Sequence, residues 1–436
     1  MKIIYTLLNR FILLGIMVFA NVGYSQTLES QLKSLFTTLL EDDLQKSPGM
    51  HGQHFIPSNV ASSTAVIDAL TNFIGTSVSS FPLNSTVAGL TFDFSSGRPV
   101  STSTSLGPIF SERAQTMGSG LINFGLNFTY INFTKMRGIN TNDLRLSFTH
   151  QDVGAPGMGD SPNEFDYIDM YMHMDINASI LAFYSTYGLT DRIDLGVAIP
   201  IVNVKMKSDP TAIMNSYTFV NNDSANHFFG GTRANPVLEI QPGSIDDDAT
   251  GLGDIAIRAK FNFLKNSSVD LAALAEYRIA TGDDKNFLGL GSDQVSFFLI
   301  ISKIIGDFAP HLNLGYKLNT GSTDLDEFLC HLGYDQKLSQ QLTLAVDFIG
   351  DFELGAKDNA LKFPKPVTVV RADGYKETID ITNIPDYKHD NIINSAIGFK
   401  YRPREDMLIV GNVFLPINDG GLRADFIPTL GMDINF

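Results

Sequence analysis

The last sixteen residues, Gly421 to Phe436, constrain this chain more than any other stretch. Taken alternately they separate into two sets. Leu422, Ala424, Phe426, Pro428, Leu430, Met432, Ile434 and Phe436 form one; Arg423, Asp425, Ile427, Thr429, Gly431, Asp433 and Asn435 form the other. Side chains alternate across a strand, so one face is apolar and the other carries charges and small polar groups. Two structures accept such a strand: the edge of a soluble sandwich, or the wall of a membrane barrel. The rest of the chain has to separate them.

Lys2 and Arg10 give a positive start ahead of a short apolar core, Phe11 to Ala20, and the small residues Gly23 and Ser25 precede Gln26. This pattern is a secretory signal over residues 1–25, with no lipobox cysteine beside it. Beyond it no run of eighteen apolar residues remains, so no transmembrane helix is expected. Yet 44% of the residues are hydrophobic and 11% aromatic, ample for a large apolar surface. In lipid every backbone polar group needs an internal partner, so an exported chain without spanning helices crosses only as a closed barrel. The net charge of −16 becomes −18 when Lys2 and Arg10 leave with the signal. That excludes nucleic acid as a partner and suits acidic loops. A single cysteine, Cys330, rules out an intrachain disulfide and reads as packing. With no Trp in the chain, Tyr and Phe must anchor the membrane interface.

Residues 26–117 do not alternate. Leu28, Leu32, Leu35, Phe36, Leu39, Leu40 and Leu44 recur at helical spacing and stop at Ser47-Pro48-Gly49. A second helix, capped by Ser58 or Asn59, carries Val66, Ala69, Leu70, Phe73 and Ile74 on its apolar side. Val87 to Phe94 reads as a short strand. The segment is too apolar for a free tail, so it folds as a plug in the lumen or as a periplasmic cap.

From residue 118 onward twelve strands are expected: 119–134, 166–188, 193–206, 250–265, 268–281, 293–305, 308–319, 326–337, 341–355, 389–402, 406–416 and 421–436. Tight turns follow the even-numbered strands, at Thr190-Asp191-Arg192, Lys265-Asn266-Ser267, Gly306-Asp307, Ser339-Gln340 and Pro403-Arg404-Glu405. The long connections, 135–165, 207–250 and 356–388, fall on the other side, the asymmetry of outer-membrane barrels. Ile168, Met170, Met172, Met174, Ile176, Ala178 and Ile180 form the expected lipid face of the second strand. The sixth and eleventh strands are apolar on both faces, which suits a greasy lumen patch or contact with the plug. Tyr184, Phe261, Phe263, Phe308, Tyr334, Phe399, Tyr401 and Phe436 form an expected outward aromatic belt near the tight turns. Twelve strands about 4.8 Å apart, tilted about 40°, give a backbone diameter of roughly 24 Å and a narrow bore.

The expected lumen-lining set is Asp169, His173, Asp175, Asp254, Arg258, Lys260, Glu276, Arg278, His311, Lys317, His331, Asp335, Asp347, Asp351, Arg423 and Asp425. Charges of both signs in a wet lumen pair with one another or form a polar constriction. A lipid hydrolase needs its Ser–His pair on the outer surface, but His173, His311 and His331 fall on the inward set and no serine stands out beside one, so no enzyme is expected. No cofactor is expected, and no metal. His51 and His54 lack further ligands, Asp246-Asp247-Asp248 lacks the spacing of a calcium loop, and Gly289-Leu290-Gly291 lacks the lysine of a phosphate loop.

Gly251-Leu252-Gly253-Asp254 leading into Ile255 to Leu264, then Tyr277 to Asp283, then Gly289 to Gly315, resemble the family described as "putative MetA-pathway of phenol degradation". Ala280 stands where that family usually has proline. Gly107 to Ala114 and Tyr187 to Arg192 resemble its approach to the first strand and its YGLTDR-type turn. The final strand, ending on Phe436, resembles those that the barrel-assembly machinery recognises. The resemblance implies an outer-membrane protein passing small hydrophobic or aromatic compounds, and carries over no binding residues.

The reading is therefore an all-β, closed antiparallel transmembrane barrel of about twelve strands over residues 118–436, with residues 26–117 as a partly helical plug or cap. It sits in the outer membrane of a Gram-negative bacterium, with outer-membrane lipids, lipopolysaccharide and the assembly machinery as partners. The expected function is passive transport of a small hydrophobic or aromatic molecule. Surface binding through the long loops is the alternative, and a lipid hydrolase stands behind both.

Overall fold

A computed structural model describes residues 26–35, 45–46, 55, 61–79, 92–93, 100–101, 105–151, 163–216, 224–225, 227–265, 269–321, 325–355, 365–370 and 375–436. The leader, Phe36 to Leu44, the Ser47-Pro48-Gly49 stop, His51, His54, the Ser58-Asn59 cap and the Asn266-Ser267 turn lie outside those residues. So does most of the expected strand at 87–94, of which Phe92–Asp93 pairs with Val100–Ser101.

Period-two alternation between turn signals yields a strand at each of the twelve expected places. They are β1 (Ile122–Met136), β2 (Met174–Thr190), β3 (Ile193–Ser208), β4 (Ile255–Leu264), β5 (Asp270–Ile279) and β6 (Gln294–Ser302). Then follow β7 (Phe308–Asn319), β8 (Asp326–Lys337), β9 (Leu342–Leu354), β10 (Ile392–Arg404), β11 (Met407–Pro416) and β12 (Ile427–Asn435). Each pairs antiparallel with the next, and β12 returns to β1 from Thr429↔Thr129 to Asn435↔Asn123. Ile122 and Phe436 complete the seam with backbone hydrogen bonds of 3.1 and 2.8 Å. The sheet therefore has no open edge along the membrane band, the condition lipid imposes.

Two aromatic levels bound that band. Near the tight turns Phe261, Phe263, Phe308, Phe399, Tyr401 and Phe436 stand exposed on the outside. Toward the long connections, the Tyr130, Tyr277 and Tyr316 hydroxyls reach Asn177, Asp293 and Asp326 at 2.8, 2.5 and 2.7 Å. From Phe308 to Tyr316 on β7 is eight residues, roughly 21 Å along the membrane normal at about 3.4 Å per residue and about 40° tilt. Outer-membrane barrels carry an apolar band about 25 Å tall, and this chain is one of them, in a Gram-negative outer membrane.

The second strand departs from expectation. Residues 163–171 leave the barrel, and β2 starts only after His173, whose φ of 45° falls in the left-handed region. Met174, Ile176, Ala178, Ile180, Ala182 and Tyr184 are buried on the inside, whereas Asp175 and Lys205 are exposed on the outside. The expected lipid face is thus the inner face, and Tyr184 is no part of the outer belt. Beyond the band the strands meet water, so the polarity of their two faces inverts.

The inverted region closes over a core of its own. Arg145–Gln151, Asn163–Tyr171, Thr211–Asn215, Glu239–Ile240, Val367–Val370 and Lys376–Ile379 form a six-stranded sheet from the long connections. Ile245–Leu252 extends the line of β4 along β3. Inside lie the helices α1 (Leu28–Ser34) and α2 (Ala61–Ser79). Thr27 caps α1 by accepting from Ser30 N at 3.2 Å, and Leu28, Leu32 and Leu35 are buried, each worth about 1.5–3 kcal/mol. Ala69, Leu70, Phe73 and Ile74 of α2 join Phe148, Met170, Met172, Met174 and Met206 in the same cluster.

Candidate functional site

The segment Ser105–Met117 enters where Gly188 meets Gly118. A Cβ on Gly188 would overlap the Gly118 carbonyl, so only glycine lets the chain pass there. The segment then fills the half of the lumen nearest the tight turns, held by inward side chains from most of the wall. Asp194 accepts from Met117 N at 3.1 Å, Asn262 donates to Ala114 O at 2.7 Å, and Asn313 brackets Glu112 through its backbone N (2.7 Å) and O (2.8 Å). The greasy inward positions of β6 and β11 meet it too. Ala114 clusters with Ile300, Leu106 with Leu408 and Val410, and the Phe110 ring lies 4.9 Å from that of Phe414.

Three charged staples secure it. Glu112 lies 3.2 Å from Arg258 and 3.1 Å from Lys260, and Arg258 reaches on to Glu276 at 2.9 Å, with Arg278 at 3.6 Å. Arg113 forks onto Asp335, both fully buried, and Ser105 shares that carboxylate. Asp347 accepts from Ile109 N at 3.1 Å, Phe110 N at 2.9 Å, the Ser111 hydroxyl and His311 Nε2 at 2.9 Å. Gly333 makes room for the last contact: a Cβ there would sit 2.6 Å from His311 Nε2. Ser111 and His311 both turn to Asp347, so the imidazole does not face the hydroxyl and the trio is a staple, not an activated nucleophile. Burial works to raise the Glu112 carboxyl, but the Lys260 and Arg258 charges outweigh it and hold it below the usual range.

Above the segment lie two adjacent cavities of about 70 and 150 Å³, sharing Gln294, Lys317 and Asp351 in their walls. Phe110 and Glu112 floor the smaller one, beside His331 and Arg278. The larger lies between α2 and the wall. Phe73, Ile131, Phe133, Ile349 and Phe414 give it an apolar side; Lys317, Glu327, Asp351 and Arg423 give it a charged one. Arg137, with a left-handed φ of 46°, holds Asp390 and stacks over Phe73 at 4.8 Å, fixing the helix over the cavity.

Of the expected lumen residues, Arg258, Lys260, Glu276, Arg278, His311, Lys317, His331, Asp335, Asp347, Asp351 and Arg423 face this interior. Five lie elsewhere. Asp169 is in the outer sheet, bonded to Arg145 at 2.9 Å, because residues 163–171 are not barrel wall. His173 and Asp175 are exposed on the outside, above the lipid band. Asp254 is spent at the rim, accepting from Gly282 N and Leu290 N at 2.9 Å each. Asp425 is exposed beside Lys135 at 3.2 Å, because the pairing slips between Arg423 and Ala424. That slip also turns Leu422 and Ala424 inward, onto the larger cavity. Glu112 and Arg113 were not expected: their partners lie over 140 residues away, and only their charge within an apolar stretch marks them.

The family model described as "Putative MetA-pathway of phenol degradation" matches residues 164–366. Over those residues the chain resembles that family. The match takes in the GLGD-led strand and the Tyr187 to Arg192 corner, and stops short of Gly107 to Ala114. No curated protein matches. Among solved structures, the COG4313 outer membrane channel from Pseudomonas putida F1 is similar at 13% identity and a TM-score of 0.43, covering 75% of this chain and all of that one. A Pseudomonas aeruginosa FadL homologue follows at 10% and 0.31, covering 73% and 90%. The Ralstonia pickettii toluene transporter TbuX stands at 11% and 0.24, covering 73% and 89%. Scores this low leave the fold resting on the strand pairing of the chain itself.

Proposed function

We propose that the protein passes a small hydrophobic or aromatic molecule passively across the outer membrane. The supporting observation is the half-apolar cavity of about 150 Å³ above a lumen that its own residues 105–117 close. An apolar cavity of that order holds a molecule the size of benzene. The description of the matched family, a phenol degradation pathway, agrees with such a cargo. Residues 26–117 act as the plug, and passage requires the stapled part to shift. No step in this reading needs a catalytic group. Uptake of labelled phenol or toluene by proteoliposomes tests it: flux above that of empty liposomes is expected, and none, even after the Glu112 staple is broken, removes the reading.

The six-stranded outer sheet supports a second reading, binding at the cell surface; replacing residues 365–379 by a short linker would then abolish binding and leave flux unchanged. Phe436, exposed on the lipid face, is the proposed mark for the assembly machinery, and the outer rim the proposed contact with lipopolysaccharide.

A further inference from the structure

The charges around the larger cavity come mostly in pairs. Arg137 is bonded to Asp390, Lys317 lies 2.7 Å from Glu327, and His331 lies 3.3 Å from Asp351. Arg423 is different. Only neutral oxygens hold it: Asn418 O at 3.1 Å on Nε, then Ile393 O at 2.9 Å, Asn394 Oδ1 at 2.7 Å and Asn418 Oδ1 at 3.3 Å on Nη2. Among the described residues no carboxylate comes within the 4.0 Å of an ion pair, and none of these bonds uses Nη1. Asp351 and Asp419 act on it only from farther off, and Asp351 already has His331. Arg423 as a residue is only 7% exposed, so little water surrounds its charge. A buried cation without a counter-ion is costly, and a planar carboxylate satisfies a guanidinium with two charge-assisted bonds.

We infer that the larger cavity takes a small organic monoanion, its carboxylate on Arg423 and its apolar body against Phe73, Phe133 and Phe414. The inference rests on the channel reading and narrows its cargo. Lys388 and Glu353 also stand at the cavity wall, one of each sign, so the preference rests on Arg423 itself. A neutral ring of equal size fills the volume but leaves the guanidinium unmet.

Equilibrium dialysis of the full-length protein in detergent at pH 7 compares benzoate with benzamide, the neutral molecule of nearly the same shape. Benzoate should bind about 10-fold more tightly or better, about 1.4 kcal/mol. Arg423→Met should erase the preference, and Arg423→Lys should keep part of it. Should Arg423→Met fail to fold, Asn394→Asp places a carboxylate on Nη2 without changing shape and should erase the preference as well. Equal affinities in the unaltered protein, or a preference that survives both variants, overturn the inference. Binding with the preference intact but no liposome flux of either compound, even through Glu112→Gln, sinks the channel reading alone; flux without preference sinks this one alone.

Discussion

Glu112→Gln gives the sharpest test of the closed lumen. The carboxylate sits 3.2 Å from Arg258 and 3.1 Å from Lys260, all three buried or nearly so. Glutamine keeps the shape and the backbone bonds to Asn313 but removes the charge. Arg258 still has Glu276, whereas Lys260 is left with the Arg113 carbonyl at 3.5 Å. Breaking a buried pair by removing one partner costs about 3–5 kcal/mol. The cost falls on the closed arrangement, because a displaced segment lets water reach Lys260. At about 1.36 kcal/mol per factor of ten, the closed-to-open ratio drops roughly 10²- to 10⁴-fold. In planar bilayers the variant should show frequent openings where the parent protein shows few. Adding Lys260→Met, which replaces the orphaned charge by an apolar side chain of similar length, should restore most of the closure. A correctly folded Glu112→Gln barrel with unaltered conductance would show that the segment is not held by this staple.

Three further outcomes follow from the same geometry. Leu299→Arg, at the middle of the lipid face on β6, should cost about 2–4 kcal/mol of barrel stability, and Asn177→Arg, above the band, close to nothing; urea titration in lipid vesicles distinguishes them. Gly333→Ala forces His311 and Asp347 apart and should cost about 1–3 kcal/mol as an overpacked core substitution, read as a lower unfolding midpoint. Because the Glu112 carboxyl is held low in the folded state, its staple is fully formed above the ordinary glutamate value of about 4.3 and is lost as pH falls through the lower folded value. Conductance should therefore stay flat from neutral pH to about 5 and rise only below about 4, and a rise already near pH 6 would assign the gate to another group.

Twelve strands could be read from the sequence because alternation and turn residues are local signals, and β12 carries both within sixteen residues. Which face meets lipid is not local. Met170, Met172 and Met174 follow one another at every second position, as lipid-facing residues would, yet they look inward because the surroundings outside change from lipid to water at that height. Asp425 was misplaced for a smaller reason: one slip in pairing beside Arg423 reverses the parity that placed Arg423 correctly. Glu112 and Arg113 stand in a segment without any period, and the charges that explain them are on β4 and β8. Pairing across such distances leaves no trace in the pattern of a single strand.

The continuity of β2 and β3 across the outer lipid boundary has a mechanical consequence. Their hydrogen-bonded ladder runs unbroken from Tyr187↔Leu195 at one end to Met174↔Ser208 at the other, with no hinge where the surroundings change. A load applied at the outer end of that ladder, below the bend at His173, is thus delivered straight to the staves that enclose the lumen.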